Sequence, residues 1–328
     1  MTVRPAPEEV GSGPVVVAFG GGHGLSASLS ALRLMSDRLT AVVTVADDGG
    51  SSGRLRAEMG VLPPGDLRMA LAALCDDSDW GRLWRDVLQH RFHSQGEMDQ
   101  HAVGNLLIVA LWELLGDPVS GLDWVGRLLR ARGRVLPMAT VSLEIEAEIA
   151  TDDGTSTVVH GQSAVAAAGG RVRKVRLVPP DPPAPPEVVA AVDAADWVVF
   201  GPGSWFTSVM PHLLVPDLAA ALCRSHARRC VTLNLSPESG HASGMSSYEH
   251  LCALADHAPD LRIDVVIADP SAVANVEVMQ DQAKAMGAEL LLRQVRVGDG
   301  APLHDALRLA AAYRDAFEGF LGDVGEHR

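Results

Sequence analysis

Thr44–Arg56, TVADDGGSSGRLR, joins an apolar run to a loop of carboxylates and small residues. The run Thr40 to Val45 is apolar and β-branched, which predicts a buried strand. The loop Asp47 to Ser51 follows at its carboxyl end, where open α/β sheets bind ligands. Its backbone amides suit a phosphate, and its carboxylates suit a sugar hydroxyl or a divalent cation. The alternative is a plain surface turn, because Asp, Gly and Ser are common in turns.

A glycine-rich turn precedes this stretch. The apolar run Val15 to Phe19 predicts another buried strand, and a helical pattern starts at Leu25. The turn between them lets the backbone approach a pyrophosphate at a helix N-terminus. It consists of Gly20, Gly21, Gly22, His23 and Gly24. Leu25 replaces the third glycine of the dinucleotide fingerprint, and the Gly-Lys-Ser/Thr of a P-loop is absent.

The two loops support each other. Asp47 lies 23 residues after Gly24, where an acidic residue meets a ribose in dinucleotide folds. We therefore expect a nucleotide-type ligand between the loops. His23 either contacts this ligand or faces solvent. Asp47 and Asp48 are the candidate catalytic or Mg²⁺-binding residues if the protein is an enzyme, and Gly49, Gly50 and Ser51 complete the predicted pocket.

Three further segments carry candidate ligand contacts. Gly104 and Asn105 open an apolar helix, which indicates close approach of a ligand or of another backbone. Small residues follow the strand Trp197 to Phe200, in a loop that cradles an anion or merely turns the chain. The candidates there are Gly201, Gly203 and Ser204. Asn234 ends a predicted strand, Cys230 to Leu235, at the same sheet edge.

Two other polar features have structural explanations. Asp66 precedes the helical pattern Leu67 to Leu74 and is predicted to be its N-cap rather than a ligand contact. His90, His93 and His101 lack a recognisable metal-ligand spacing and are predicted not to bind metal.

Composition limits the classes of function. The chain has 328 residues and a net charge of −14, which argues against a general nucleic-acid binder. Its four cysteines are scattered and do not form a zinc or disulfide framework. The sequence shows neither a signal peptide nor an apolar run long enough to cross a bilayer, so we expect no membrane insertion and a cytoplasmic location.

The order of patterns predicts an α/β fold. Residues 1–14 are predicted to be a flexible N-terminus, and residues 15–328 one α/β domain with a doubly wound, mainly parallel, Rossmann-like sheet. Alternating residues over about 135–178 predict an inserted antiparallel β meander with a hairpin turn at Asp152-Asp153-Gly154. The stiff segment Asp181 to Pro186 leads back into the α/β pattern.

These motifs resemble one family, the YvcK/CofD-like family, and within it the YvcK branch of gluconeogenesis factors. The resemblance runs from about residue 15 to about residue 270. The matching blocks are GGGHGLS (20–26), TVADDGGSSGRLR (44–56), PPGDLRMALAAL (63–74), QHRF (89–92), HAVGN (101–105), GRVLPM (133–138), GPGSWFTSVMPHLLVP (201–216) and NLSPESG (234–240).

The resemblance implies a CofD-like fold with a nucleotide and phosphate pocket formed by residues 20–24 and 47–51. It implies that Gly104, Asn105, residues 201–204 and Asn234 line the rest. The YvcK branch is associated with UDP-sugars, above all UDP-N-acetylglucosamine, and with cell shape and wall synthesis during gluconeogenic growth. One departure is the segment Ser239-Gly240-His241-Ala242, where the family usually has Pro-Gly-Glu-Thr, so a ligand contact there is in doubt.

Two hypotheses of function follow. The preferred one is a regulatory protein that binds a nucleotide sugar without turnover, with proteins of wall-precursor synthesis as partners. The alternative is a Mg²⁺-dependent enzyme similar to the family's 2-phospho-L-lactate transferases, which act on a nucleotide diphosphate donor. A nicotinamide dehydrogenase ranks last because the glycine fingerprint is incomplete. The sequence leaves open the base, uracil or guanine, and whether the chain forms a homo-oligomer.

Overall fold

The computed structural model describes residues 12–150, 155–236 and 245–320. The first half of the chain contains β1 (Val16–Gly20), α1 (Gly22–Leu32), β2 (Leu39–Val43), α2 (Gly50–Met59), α3 (Gly65–Leu74), α4 (Asp79–Gln89), α5 (Val103–Leu115), α6 (Pro118–Leu129) and β3 (Arg134–Pro137). An insertion follows with β4 (Glu144–Ala150), β5 (Ser156–His160), α7 (Gln162–Ala167) and β6 (Arg171–Val178).

The second half returns to alternating strands and helices. It contains α8 (Pro186–Asp193), β7 (Trp197–Phe200), a π-helical turn (Trp205–Val209), α9 (Met210–Leu213), α10 (Pro216–Arg224), β8 (Arg228–Thr232), α11 (Ser247–His257), β9 (Val265–Ala268), a 3₁₀ turn (Pro270–Ala272), α12 (Val276–Ala285), β10 (Glu289–Leu292) and α13 (Ala306–Glu318).

Seven parallel strands form the central sheet, in the order β10-β9-β8-β7-β1-β2-β3. The predicted Rossmann-like, mainly parallel α/β fold is therefore confirmed. The chain runs outward from β1 to β3 and then returns to β7 on the other side of β1, so the strand order reverses between β1 and β7. In doubly wound folds, ligands bind in the crevice at this reversal.

Helices cover both faces of the sheet. On one face, Trp197 of β7 stacks on Phe317 of α13 at 4.3 Å. Phe200, three residues later on β7, lies on the opposite face and stacks on Phe19, which is edge-on to His212 of α9. Burial of His212 lowers its pKa to about 4, and its ring Nε2 lies 3.2 Å from the carbonyl of Gly20. The end of β1 is thereby fixed against α9.

The antiparallel insertion begins later than predicted. Arg134–Pro137, assigned to the start of the meander, instead pairs in parallel with β2 at the edge of the main sheet. The three-stranded sheet has the order β5-β4-β6 and starts at Glu144. Val135 and Leu136 and the alternating residues after Leu143 both predict strands, so the sequence does not show that the two runs belong to different sheets.

Two local predictions are also wrong in detail. Helix α3 begins at Gly65 with Pro64 as N-cap, so Asp66 lies inside the first turn and does not cap the helix. Pro64 already has a helical conformation, with φ −83° and ψ −9°, which starts the helix early. The predicted loop after β7 is shorter than expected because Trp205–Val209 form the π-helical turn.

Some predictions lie outside the described residues. They concern residues 1–11, the turn at 152–154 and the departure from the family at 239–242. Among the described helices, none is individually long and apolar enough to cross a membrane; Trp205–Leu213 and Pro216–Arg224 reach that composition only as a pair bent by 71°.

Candidate functional site

The N-terminus of α1 lies at the strand reversal, packed closely by its neighbours. A Cβ atom added to Gly24 would lie 1.8 Å from the carbonyl oxygen of Pro202, and one added to Gly21 would lie 2.5 Å from Asp66 Oδ2. The first turn of α1 contains no acidic residue, and the orphan amides of a helix start favour an anion. The glycines therefore serve packing, and the helix start they permit suits a phosphate.

The loop after β7 forms the facing wall. Gly203 is held by Asn234, whose Oδ1 accepts the Gly203 amide at 2.8 Å and whose Nδ2 donates to the Gly203 carbonyl at 2.9 Å. A Cβ on Gly201 would lie 3.0 Å from Ser28 Oγ of α1. The predicted candidates Gly201, Gly203 and Asn234 thus lie next to α1, and the Asn234 side chain fixes the loop in place.

A cleft of about 710 Å³ lies between these walls, a volume typical of small-molecule sites. Helix α7 of the insertion closes one side, and the segment before α13 closes another. The lining residues are His23, Gly24, Ser26, Ala27, Ser30, Ala166, Pro202, Gly203, Ser204, Asn234, Leu235, Ser236, Val297, Pro302, Leu303, His304 and Ala306. His23 lines the cleft and is also exposed to solvent, so both of its predicted alternatives are compatible with its position.

Asp47 and Asp66 form a carboxylate pair beside the start of α1. Asp47 Oδ1 accepts the Gly49 amide at 3.0 Å, which leaves its other oxygen facing α3. Burial, and after it the nearby Asp47 charge, raise the pKa of Asp66 to about 7, although the Gly22 amide donates to Asp66 and opposes the shift. Asp66 is therefore partly protonated at neutral pH. Sequence reasoning missed it by assigning it a capping role.

Ser51 and Asn105 belong to a buried polar network rather than to an open pocket. Ser51 Oγ lies 3.1 Å from His101 Nδ1 and accepts from Asn105 Nδ2 at 3.1 Å. Asn105 Oδ1 in turn accepts Arg68 Nε at 2.9 Å. Burial is the main cause that lowers the Arg68 pKa, to about 10, and it also lowers that of His101. Gly104 allows the close packing, because a Cβ there would lie 2.8 Å from Arg68 Cδ.

Asp48 points away from this pair and toward the insertion. Its Oδ1 accepts from both the amide and the hydroxyl of Ser163, at 2.9 and 2.5 Å, at the start of α7. Gly161 has φ +91°, and a Cβ there would lie 2.5 Å from Asp48 Oδ2. Asp48 thus holds α7, which lines the cleft through Ala166. The structure does not bring the two predicted catalytic carboxylates together.

Gly49 and Gly50 begin α2 rather than forming an extended loop. Gly49 is the N-cap, and Gly50 is exposed with φ +49°. The parts of the chain that the structure describes contain no group of three or more His, Cys, Asp or Glu side chains that could hold a metal ion. The pair Asp47 and Asp66 still matches the one or two carboxylates that usually hold Mg²⁺ together with substrate phosphates.

Residues 16–295 match the family model described as 2-phospho-L-lactate transferase CofD. The chain belongs to the CofD family. It is 52% identical over 303 residues to a Mycobacterium tuberculosis protein that bears a gluconeogenesis-factor name, covering 90% of this chain and 88% of that one. It is 35% identical to the gluconeogenesis factor of Bacillus subtilis, covering 87% and 92%.

A solved structure supports the same family assignment. The crystal structure of a UPF0052 family protein from Bacillus halodurans superposes on this CofD-family chain with a TM-score of 0.81 at 33% identity. The match covers 92% of this chain and 98% of that one. The predicted resemblance to the YvcK/CofD-like family is confirmed.

Proposed function

We propose that this protein binds a nucleotide sugar of the UDP-N-acetylglucosamine type and acts as a regulatory protein, not as a catalyst. It would link gluconeogenic growth to cell-wall synthesis and cell shape, in the cytoplasm and through proteins of wall-precursor synthesis. The relatives named gluconeogenesis factor support the proposed link to gluconeogenic growth.

The observation that carries the ligand class is the mixed lining of the cleft. The lining includes the start of α1, which suits a diphosphate. It also includes the apolar side chains of Val297, Pro302 and Leu303, which suit an uncharged ring. A nucleotide sugar has both an anionic centre and uncharged ends.

The carboxylate pair would bind hydroxyl groups of the sugar or ribose. Asp47 accepts hydrogen bonds as a carboxylate, and Asp66, with a pKa of about 7, both donates and accepts near neutral pH. Partial protonation of Asp66 also reduces its repulsion of a phosphate at the start of α1. Asp47 and Asp66 do not line the cleft itself, so in this proposal they contact the part of the ligand that extends past the start of α1, and Asp48 shapes the cleft.

The pair Asp47 and Asp66 also fits one alternative function, a transferase of the kind that the family model is named after. Asp47 and Asp66 would then hold Mg²⁺, which neutralises charge on a diphosphate leaving group. The protein's own contribution would be to orient the diphosphate through the amides at the start of α1 and to exclude water through the α7 wall.

Isothermal titration calorimetry with UDP-N-acetylglucosamine, with and without Mg²⁺, tests the proposal, and a guanosine diphosphate ester serves as the comparison. We expect saturable binding without metal, recovery of intact ligand, and loss of binding in Asp47→Ala. A requirement for Mg²⁺ together with release of a nucleoside monophosphate would establish the transferase instead. Unchanged affinity in Asp47→Ala would show that the pocket is assigned wrongly.

A further inference from the structure

His304 lines the cleft in a segment with a fixed backbone. It follows a tight loop in which the Val297 amide donates to the Leu303 carbonyl at 3.0 Å, and the next residue, Asp305, donates its amide to the Val295 carbonyl at 2.8 Å. Asp305 is also the N-cap of α13. The backbone is therefore held by hydrogen bonds on both sides of His304.

The protonation state of His304 follows from its surroundings. Nε2 of the ring is buried without a hydrogen-bond partner among the described residues. Burial lowers the pKa of His304 to about 4, with the Arg296 charge acting in the same direction, and the Leu233 carbonyl and Asp269 opposing it. At neutral pH the ring is uncharged, and in the tautomer protonated at Nδ1 its Nε2 presents a lone pair.

A second unsatisfied group belongs to the lining of the same cleft. Ser204 Oγ is buried without a partner in the described parts of the chain. It adjoins Gly203, which is clamped to Asn234, and Asn234 adjoins Leu233, the partner of His304. Both residues line the cleft. Buried polar atoms without partners are uncommon and call for a ligand or an ordered water.

We infer that His304 and Ser204 recognise the edge of a nucleobase that carries a ring N–H next to a carbonyl. His304 Nε2 accepts the ring N–H, and the Ser204 hydroxyl donates to the carbonyl. Uracil and guanine carry this pair, whereas cytosine and adenine present a ring nitrogen acceptor at the same place. A neutral imidazole contributes nothing to holding a diphosphate, so it acts on specificity. This inference rests on the proposed function and names its specificity residues.

Calorimetry with the unmodified protein provides the first test. UDP and CDP differ only at the base edge, and N3-methyl-UDP lacks the ring N–H. We expect UDP to bind at least about tenfold more tightly than CDP or N3-methyl-UDP, because each of these leaves a buried acceptor unsatisfied. If GDP bound as tightly as UDP and CDP bound weakly, recognition of a ring N–H next to a carbonyl would still be supported, and guanine would be a ligand base.

Variants provide the second test. His304→Phe should bring UDP down to the affinity of CDP and leave the affinity for inorganic pyrophosphate unchanged. His304→Gln, which restores an acceptor, should recover part of the preference. His226→Phe, at an exposed histidine that does not line the cleft, is the matched control, and its UDP-to-CDP affinity ratio should equal that of the wild type. Circular dichroism of each variant checks that it is folded.

The outcomes separate the two ideas. Equal binding of UDP and CDP to the wild type would overturn the role of His304 and leave the proposed function intact. A preference for UDP that persists in folded His304→Phe would also overturn it. Failure of every nucleoside diphosphate and of UDP-N-acetylglucosamine to bind would overturn both.

Discussion

Replacement of Asp48 tests whether this carboxylate shapes the cleft or contacts the ligand. Its Oδ1 accepts two hydrogen bonds from Ser163 at the start of α7. Hydrogen bonds to a charged group contribute about 1.5–3 kcal/mol when buried, but both of these residues are exposed. We therefore expect Asp48→Ala to lower the free energy of unfolding by only about 1–2 kcal/mol. Asp48→Asn keeps an oxygen acceptor, so it should lose about half as much free energy of unfolding as Asp48→Ala.

Three measurements distinguish the roles. Urea unfolding gives the change in stability, and hydrogen exchange over residues 144–178 should show faster exchange in the insertion of Asp48→Ala. Calorimetry should show that Asp48→Asn keeps its affinity for UDP-N-acetylglucosamine to within about twofold, whereas Asp47→Asn loses about tenfold or more. Asp47→Asn is the matched control because it makes the same chemical change one residue away.

One result would refute this argument. If Asp48→Asn were as stable as the wild type and lost ligand affinity as fully as Asp47→Asn, Asp48 would be a ligand or metal contact. The hypothesis that Asp47 and Asp48 act together as catalytic residues would then be preferred over a structural role of Asp48 through Ser163.

Three further predictions concern pH, packing and a buried hydroxyl. The folded pKa of Asp66, about 7, lies above its unfolded value, so ionisation from pH 4 to 7 lowers stability. Urea unfolding at pH 8 should therefore show Asp66→Asn to be more stable than the wild type by about 2–4 kcal/mol, and the difference should vanish at pH 4. Gly24→Ala should lower the free energy of unfolding by about 3 kcal/mol, and with it the thermal midpoint, because the added methyl group overlaps the Pro202 carbonyl. Gly96→Ala is the matched control and should change the thermal midpoint little, because the space around Gly96 is open. The hydroxyl of Tyr313 forms hydrogen bonds with two other buried hydroxyls at 2.8 and 2.9 Å. Tyr313→Phe should therefore lower the free energy of unfolding by about 1–3 kcal/mol in the same thermal assay. An unchanged thermal midpoint would contradict these hydrogen bonds.

The sheet could be predicted from the sequence because buried parallel strands are continuous apolar runs followed by small residues. Runs such as Val15–Phe19 and Trp197–Phe200 carry this signal locally, and so does the placement of ligand loops at their carboxyl ends. The family motifs added the connection between those loops and a nucleotide ligand.

The roles of individual side chains could not be predicted in the same way. Asp48 and Asp66 differ in function because of Ser163 and Gly22, partners that are distant along the chain. Asp66 also follows Pro-Pro-Gly, which locally resembles a helix start with a capping aspartate. His304 lies where the family motifs end, so only the fold brings it to the cleft.

The walls of the cleft come from both ends of the chain, since α1 forms one side and the segment preceding α13 another. Tyr313 of α13 bonds Ser28 of α1 across 285 positions of sequence. During synthesis, therefore, the glycine turn is made long before its opposite wall exists. A nascent chain that has passed β8 but not yet α13 contains α1 and the Gly203 loop without the segment that closes the cleft opposite them. We expect ligand binding to begin only when the last part of the chain has folded, so the ligand would stabilise complete molecules selectively.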